Sequence, residues 1–456
     1  MKKYLVLVLL ICGLMLVNYL FSAIPDNDWK KELATFTDAY GKAKTPSERA
    51  IAIRKIAEAD HPGVVRVLAG TALPKELKEN ELLNVDIVAT ALSKLSDPAA
   101  IDELVATAKK AATAEKVILI RAMGRISNEG VGKLLLELLK NNDNLVKAAA
   151  IDALSESLPA EALDTILGFL DSKSWEVKVS AVYYLAKLTD EEAKSKALNI
   201  LRTRLPKETG RIRNDMGEAI NQLSLNSDPA NDKMGGTFSF FDIPLEGDVV
   251  FVLDASASME GKNKDGINRW DKLVEQFKLS VEMMAKAKPA VKFNIVGYAE
   301  RVGKFKDGLV PVAENKEAAI KWLDSIKPGG MMAPGKLGGL TNIYDAVEMA
   351  LIGQSAAGSG DGQKIVITSG VPNAYTICLM TDGKASKDKG KYSNPDDILA
   401  ALRILNQTRK IRINTIALDL GVAEANDASG MGAMFSVDAE LMERIANEHH
   451  GTCKKF

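Results

Sequence analysis

The sequence predicts a multidomain chain: an N-terminal α-solenoid of stacked helical hairpins, then an α/β domain with a doubly wound, mostly parallel sheet. Three observations carry this. A helical apolar pattern recurs through the first half with a constant period. The stretch "NSDPANDKMGG", Asn226 to Gly236, then breaks the pattern with Pro, Asp, Asn and Gly. Beyond it, short apolar runs alternate with helical patterns, the texture of a sheet covered by helices. At 456 residues the chain is too long for a single core. The expected division is a leader at 1–23, helical repeats at 28–225, a linker at 226–247 and the α/β domain at 248–456.

Lys2 and Lys3 precede an apolar run from Tyr4 to Phe21, after which "SAIPDNDWKK" turns polar. This is the pattern of a secretory signal or of a signal anchor, and the run is long enough to span a bilayer. Everything after it is expected on the far side of the membrane: periplasm, cell surface or exterior. Only Cys378 and Cys453 then remain, too few for a disulfide framework, and Cys378 in its apolar run reads as a small core residue. A formal net charge of −1, with no basic and aromatic patch, excludes nucleic acid as the main partner.

In the repeats, Val85, Val88, Leu92 and Leu95 mark one face of a helix. A shift of 31 residues carries Leu92 onto Met123, Leu154 and Leu185, and Ala108 onto Leu139, Leu170 and Leu201. The same shift carries Val105 onto Leu136, Leu167 and Leu198, and Ala91 onto Ala122, Ala153 and Tyr184. The breakers "SDPA", "SNEG", "LPAE" and "TDEE" split each copy into two helices, and 46–60 and 212–224 read as capping copies. A hairpin cannot bury such a seam alone, so neighbours must stack. The pattern resembles the HEAT-like repeat family, which implies a surface for a protein partner and no chemistry.

In the second half, "DVVFVLD" (248–254) is a strand buried on both faces, and Trp270, Val274, Phe277, Val281 and Met284 mark a helix. "VKFNIVGYA", "AYTICLM", "IRINTIAL" and the closing "GTCKKF" read as further strands. "KEAAIKWLDSI", "TNIYDAVEMALI", "DAELMERIANEHH" and "PDDILAALRILNQTRK", the last opened by Asn394 and Pro395, read as helices. In open sheets of this kind ligands bind outside the carboxyl ends of the strands.

Three polar clusters fall at strand ends or helix starts. Asp254, Ser256 and Ser258 follow the first strand, Thr341 opens "TNIYDAVEMA", and Asp382 follows a strand in "LMTDG". Two carboxylates and three hydroxyls, without Cys or His, suit a hard divalent cation. The set resembles the von Willebrand factor A (VWA) domain, a Rossmann-like fold with a metal-ion-dependent adhesion site. "DASASM", "GGLTNIYDAV" and "MTDG" supply its D-x-S-x-S, Thr and Asp in order, while Ala257 and Leu340 stand where that family often has glycine. The resemblance implies Mg²⁺, with Mn²⁺ as a substitute, held by Ser256, Ser258 and Thr341 through hydroxyls and by Asp254 and Asp382 directly or through water. It further implies one coordination position left for a partner protein's Asp or Glu.

"GMMAPGK", Gly330 to Lys336, has phosphate-loop spacing, but Leu337 stands where a hydroxyl is needed and Pro334 removes a donor. His449 and His450 end a helix and are expected at its negative end in solvent, with His61 far off in sequence, so no histidine-based catalytic set is visible. The expected function is therefore non-enzymatic: an exported or membrane-anchored adhesion or scaffold protein. An assembly factor serving an ATPase complex is the alternative, and a metal-dependent hydrolase a weaker one.

Overall fold

The computed structural model describes residues 25–224, 238–245, 247–262, 266–329, 337–352, 375–383, 385–418 and 438–456. The leader, most of the expected linker, the loop 330–336 and the Gly/Ser-rich segment 355–362 lie outside them. The chain divides into two compact units, residues 1–188 and 189–456.

The first unit is helical throughout. Its amino end comprises α1 (Asp26–Lys42), α2 (Pro46–Ile56), α3 (Pro62–Val67) and α4 (Leu73–Glu79). A π-type turn at Leu68–Ala72 joins the last two, directly before Pro74, which cannot donate a backbone hydrogen bond. The regular repeats follow as α5 (Leu82–Leu92), α6 (Pro98–Lys110), α7 (Thr113–Met123), α8 (Glu129–Leu138), α9 (Asn144–Leu154), α10 (Leu163–Gly168) and α11 (Trp175–Ala186). The predicted period is borne out: α5, α7, α9 and α11 begin at residues 82, 113, 144 and 175. These four helices pack side by side.

The breakers supply the caps. The Asp97 side chain accepts from the Ala100 amide and Asn128 from the Gly130 and Val131 amides, whereas Pro159 leads into a 3₁₀ turn at Ala160–Ala162. Leu92, Met123, Leu154 and Leu185 are all buried. Val105 and Leu136 are only half-buried, on the flank of the seam.

A polar node ties the amino end together. Buried Glu76 accepts from Tyr40 Oη (2.6 Å), Arg49 Nε (2.7 Å), Arg49 Nη2 (3.1 Å) and Asn84 Nδ2 (3.0 Å). Four helices thus converge on one carboxylate. A single seam pattern does not reveal this, because the partners lie up to 36 residues apart.

The second unit begins with the last two repeat-like helices, α12 (Glu191–Arg204) and α13 (Gly210–Leu223). A hairpin of β1 (Phe238–Phe240) and β2 (Ile243–Leu245) follows, in sequence expected to be linker. Its turn residues Phe241 and Asp242 both take left-handed backbone conformations, the twist that a two-residue hairpin needs. Then come β3 (Val249–Asp254), α14 (Arg269–Ala287), β4 (Lys292–Tyr298), β5 (Val302–Lys304), β6 (Val310–Pro311) and α15 (Val312–Ser325). The unit closes with α16 (Ile343–Ile352), β7 (Thr376–Thr381), α17 (Pro395–Asn406), β8 (Arg412–Ala417), α18 (Ala439–Glu448) and β9 (Cys453–Lys455).

The sheet runs β5-β4-β3-β7-β8-β9, with β6 pairing to β4. β3, β4, β7, β8 and β9 are parallel, and β5 and β6 add short antiparallel edges beside β4. Every residue of β3, β7 and β8 is buried, as a strand covered on both faces requires. Val249, Phe251, Leu253, Cys378 and Met380 face a core built with β1, β2, α14 and α15. α16 packs over β3 and β4 and against α17, while α18 packs over β8.

At the amino ends of the strands, α13 is clasped to β8. Arg412 reaches Asp215 Oδ1 (2.5 Å) and Glu218 (2.5 and 2.7 Å), and Arg211 donates to the Lys410 carbonyl. The Asp215 side chain is fully buried in this clasp.

The expectation for His449 is corrected. It is buried beside Asn406 Nδ2 (3.2 Å), and burial, with Arg403's charge, pushes its pKa down to about 3. It is neutral, and it caps no helix dipole in solvent.

Candidate metal centre

The site starts from where β3 ends. Tyr298 O accepts from the Ala255 amide at 2.7 Å, so the chain leaves the sheet in a fixed direction and turns into the short 3₁₀ segment Ala257–Glu260. Asp254 Oδ1 accepts the Ser256 amide at 2.8 Å, a local bond that closes the turn. Asp254 Oδ2 accepts from Thr381 Oγ1 at 2.5 Å, and Thr381 Oγ1 also accepts the Gly383 amide at 3.1 Å. The ends of β3 and β7 are thereby locked together.

Ser256 Oγ and Ser258 Oγ lie 3.0 Å apart, and Ser258 Oγ donates to Asp382 Oδ1 at 2.6 Å. Asp382 Oδ2 accepts from Arg269 Nη1 at 2.8 Å, and the same nitrogen donates to the Ser258 carbonyl at 2.8 Å. Thr341 is set by a reciprocal pair of 2.9 Å bonds: its amide donates to Ser386 Oγ and its carbonyl accepts the Ser386 amide. The helix beyond is capped by Asn342, whose Oδ1 accepts the Asp345 amide (3.3 Å). The Thr341 hydroxyl is therefore spared from capping.

The five residues named from the sequence are brought together. A Cβ added to Gly383 would lie 3.4 Å from Thr341 Oγ1 and 3.6 Å from Ser258 Oγ, so both hydroxyls border the same small space. Asp254, Ser256, Thr341 and Asp382 are buried and Ser258 is half-buried, while Leu340 on the rim is exposed. Beside the rim a groove runs between α14 and the end of α15, lined by Glu260, Asn268, Trp270, Asp271, Ile326 and Pro328.

Electrostatically the centre sets two carboxylates against the single guanidinium of Arg269. Burial, together with the neighbouring charge of Asp382, pushes Asp254 up to about 7. Burial also raises Asp382, against the bonds from Ser258 and Arg269. Two carboxylates held so close in a dry site, with hydroxyls on an open space, fit a small hard cation. Among the described residues no group of three or more His, Cys, Asp or Glu side chains is placed to hold a metal ion.

Sequence reasoning missed Arg269, Thr381 and Ser386. Thr381 was legible as the residue before Asp382 in "MTDG". Arg269 and Ser386 carry no local signal, since their partners lie 113 and 45 residues away.

Two family matches agree with this architecture. Residues 133–221 match the family of HEAT repeats and residues 249–371 match the von Willebrand factor type A domain. The chain thus contains HEAT repeats followed by a VWA domain. Among solved structures, it aligns with BatB, a conserved hypothetical protein from Bacteroides thetaiotaomicron, at 15% identity and a TM-score of 0.30, covering 46% of this chain and 90% of that one. An aerotolerance-related membrane protein from Bacteroides fragilis aligns at 17% identity, 46% and 91% coverage, and a TM-score of 0.30. A von Willebrand factor type A protein from Catenulispora acidiphila aligns at 14% identity, 47% and 39% coverage, and a TM-score of 0.31.

Proposed function

We propose that this is an exported or membrane-anchored adhesion or scaffold protein that holds a partner's Asp or Glu carboxylate on a Mg²⁺ ion in its VWA domain. HEAT repeats and a VWA domain both point to protein–protein interaction, and the proposal adds the metal, the carboxylate and the location. The observation that carries it is the convergence of Asp254, Ser256, Ser258, Thr341 and Asp382 around the space beside Gly383. Ser256, Ser258 and Thr341 would hold the ion through hydroxyls, with Asp254 and Asp382 reaching it directly or through water. Bound there, the ion supplies a Lewis-acidic position that a carboxylate can fill.

Exposed Leu340 and the adjoining groove offer contact area to the same partner, and the helical repeats offer a second surface. Export rests on the pattern of residues 1–23. Among the described residues no helix is long and apolar enough to cross a membrane. An export-dependent pull-down in Mg²⁺, repeated in EDTA and with Asp254→Ala, tests the reading. Capture that survives EDTA, or survives the substitution, refutes it.

A further inference from the structure

Arg269 is placed with unusual care for a residue outside the five. Asn268 caps its helix, and its own amide donates to the Gly261 carbonyl at 3.0 Å. Its Nη1 holds Asp382 Oδ2 and the Ser258 carbonyl, each at 2.8 Å, and its side chain is only 11% exposed. Room for the guanidinium is reserved by Gly261, where an added Cβ would come within 3.0 Å of Nη1 and 3.1 Å of Cζ.

The two oxygens of Asp382 are thus divided. Oδ1 faces the hydroxyls through Ser258, and Oδ2 faces away to a fixed cation. On the reading of the five residues as a metal centre, we infer that Arg269 is a resident counter-charge that sets both the metal affinity and the charge of the loaded site. With two carboxylates alone, a divalent ion would be fully neutralised. With Arg269 included, the loaded site keeps one net positive charge, which favours an incoming carboxylate.

Two effects act in the same direction. Arg269 relieves the repulsion between Asp254 and Asp382 when no metal is bound, which lowers the gain on binding one. It also repels the ion once bound, and like charges in a poorly hydrated site interact strongly. The metal is therefore held weakly by itself and more tightly with a partner's carboxylate, because each favours the other by the same factor.

The experiment is Mn²⁺ binding to the full chain, followed by electron paramagnetic resonance of free Mn²⁺ and by thermal denaturation. Arg269→Gln is expected to bind Mn²⁺ about tenfold more tightly than the native protein while melting lower in EDTA. Arg269→Lys, which keeps the charge without the planar fork, is expected to stay within about threefold of the native Kd. The inference is overturned if Arg269→Gln binds with unchanged or weaker affinity, which would make the arginine a positioning residue alone. Should the Gln variant fail to fold, a Kd for Arg269→Lys displaced about tenfold in either direction overturns it equally. If neither native protein nor variant binds Mn²⁺, the metal reading itself falls, a result distinct from native binding that the substitutions leave unmoved.

Discussion

Replacing Asp254 by Asn removes one charge from the centre while preserving its shape. The amide oxygen can still accept the Ser256 amide, and the Thr381 hydroxyl can rotate to meet the new NH₂ group. In the native protein without metal, burial first and Asp382 second lift Asp254 from 3.8 to about 7. Between those values the folded protein holds a proton that the unfolded chain releases. Stability must then fall as pH rises through this window. A rise of about three, at ~1.4 kcal/mol for each factor of ten, gives a ceiling of roughly 4 kcal/mol at pH 8. Because Asp382 shares the site, about half of that is a fair expectation. In EDTA, Asp254→Asn should therefore match the native protein near pH 4 and exceed it at pH 8, by roughly 4–8 °C in Tm for a unit of this size. Millimolar Mn²⁺ should reverse the order at pH 8, because only the native site gains from the ion. Thermal denaturation at both pH values, with and without Mn²⁺, reads all four states. A variant no more stable than native in EDTA at pH 8 refutes the buried-charge argument, and an equal Mn²⁺ gain in both proteins refutes the metal site.

Gly383→Ala adds a methyl group at ordinary contact distance from Thr341 Oγ1 and Ser258 Oγ, inside the space between the donors. It is expected to leave Tm within about 2 °C and to weaken Mn²⁺ binding at least about tenfold, measured by calorimetry. Arg412→Ala leaves the buried Asp215 with Arg211 (3.3 Å) as its remaining cation and half-exposed Glu218 to solvent, at a cost of about 1.5–3 kcal/mol in denaturant unfolding of the second unit. Glu76→Ala removes the acceptor shared by Tyr40, Arg49 and Asn84 and leaves buried Arg49 with Glu79 as its remaining carboxylate partner. A loss of about 3–5 kcal/mol is expected in the first unit, with Mn²⁺ binding unchanged.

Most of the architecture was legible because it is written in short-range apolar periodicity. The spacing from Leu92 to Met123, Leu154 and Leu185 fixes both the helix pairs and the residues they bury. Continuous apolar runs such as Val249–Leu253 mark strands covered on both faces. The hairpin at 238–245 and the short edges β5 and β6 were not legible, since segments of two or three residues carry no period. The five candidate oxygen donors were legible because the motif itself spans two strand ends and a helix start. What orients them was not. Arg269, Ser386 and the Tyr40–Arg49–Glu76 node gain meaning only from partners distant in sequence, and His449 is neutral only because folding buries it. The division at residues 188 and 189 is equally tertiary, since the repeat pattern runs past it into α12.

The Arg412 clasp has a mechanical corollary. Arg412 pairs in register with Thr376, and Thr376 with Val249, at the amino ends of the parallel strands. Thr381 and Asp254 stand five residues further along, roughly 17 Å at 3.3 Å per residue. If a partner held beyond Asp254 were pulled against the chain entering at residue 188, the load would run between α12 and α13 at one end and the Asp254 end at the other. Under such a load β3, β7 and β8 are drawn lengthwise past one another, so their ladder bonds resist together in shear and do not peel apart singly. A tether fastened at these two ends pulls on the fold along its strongest direction.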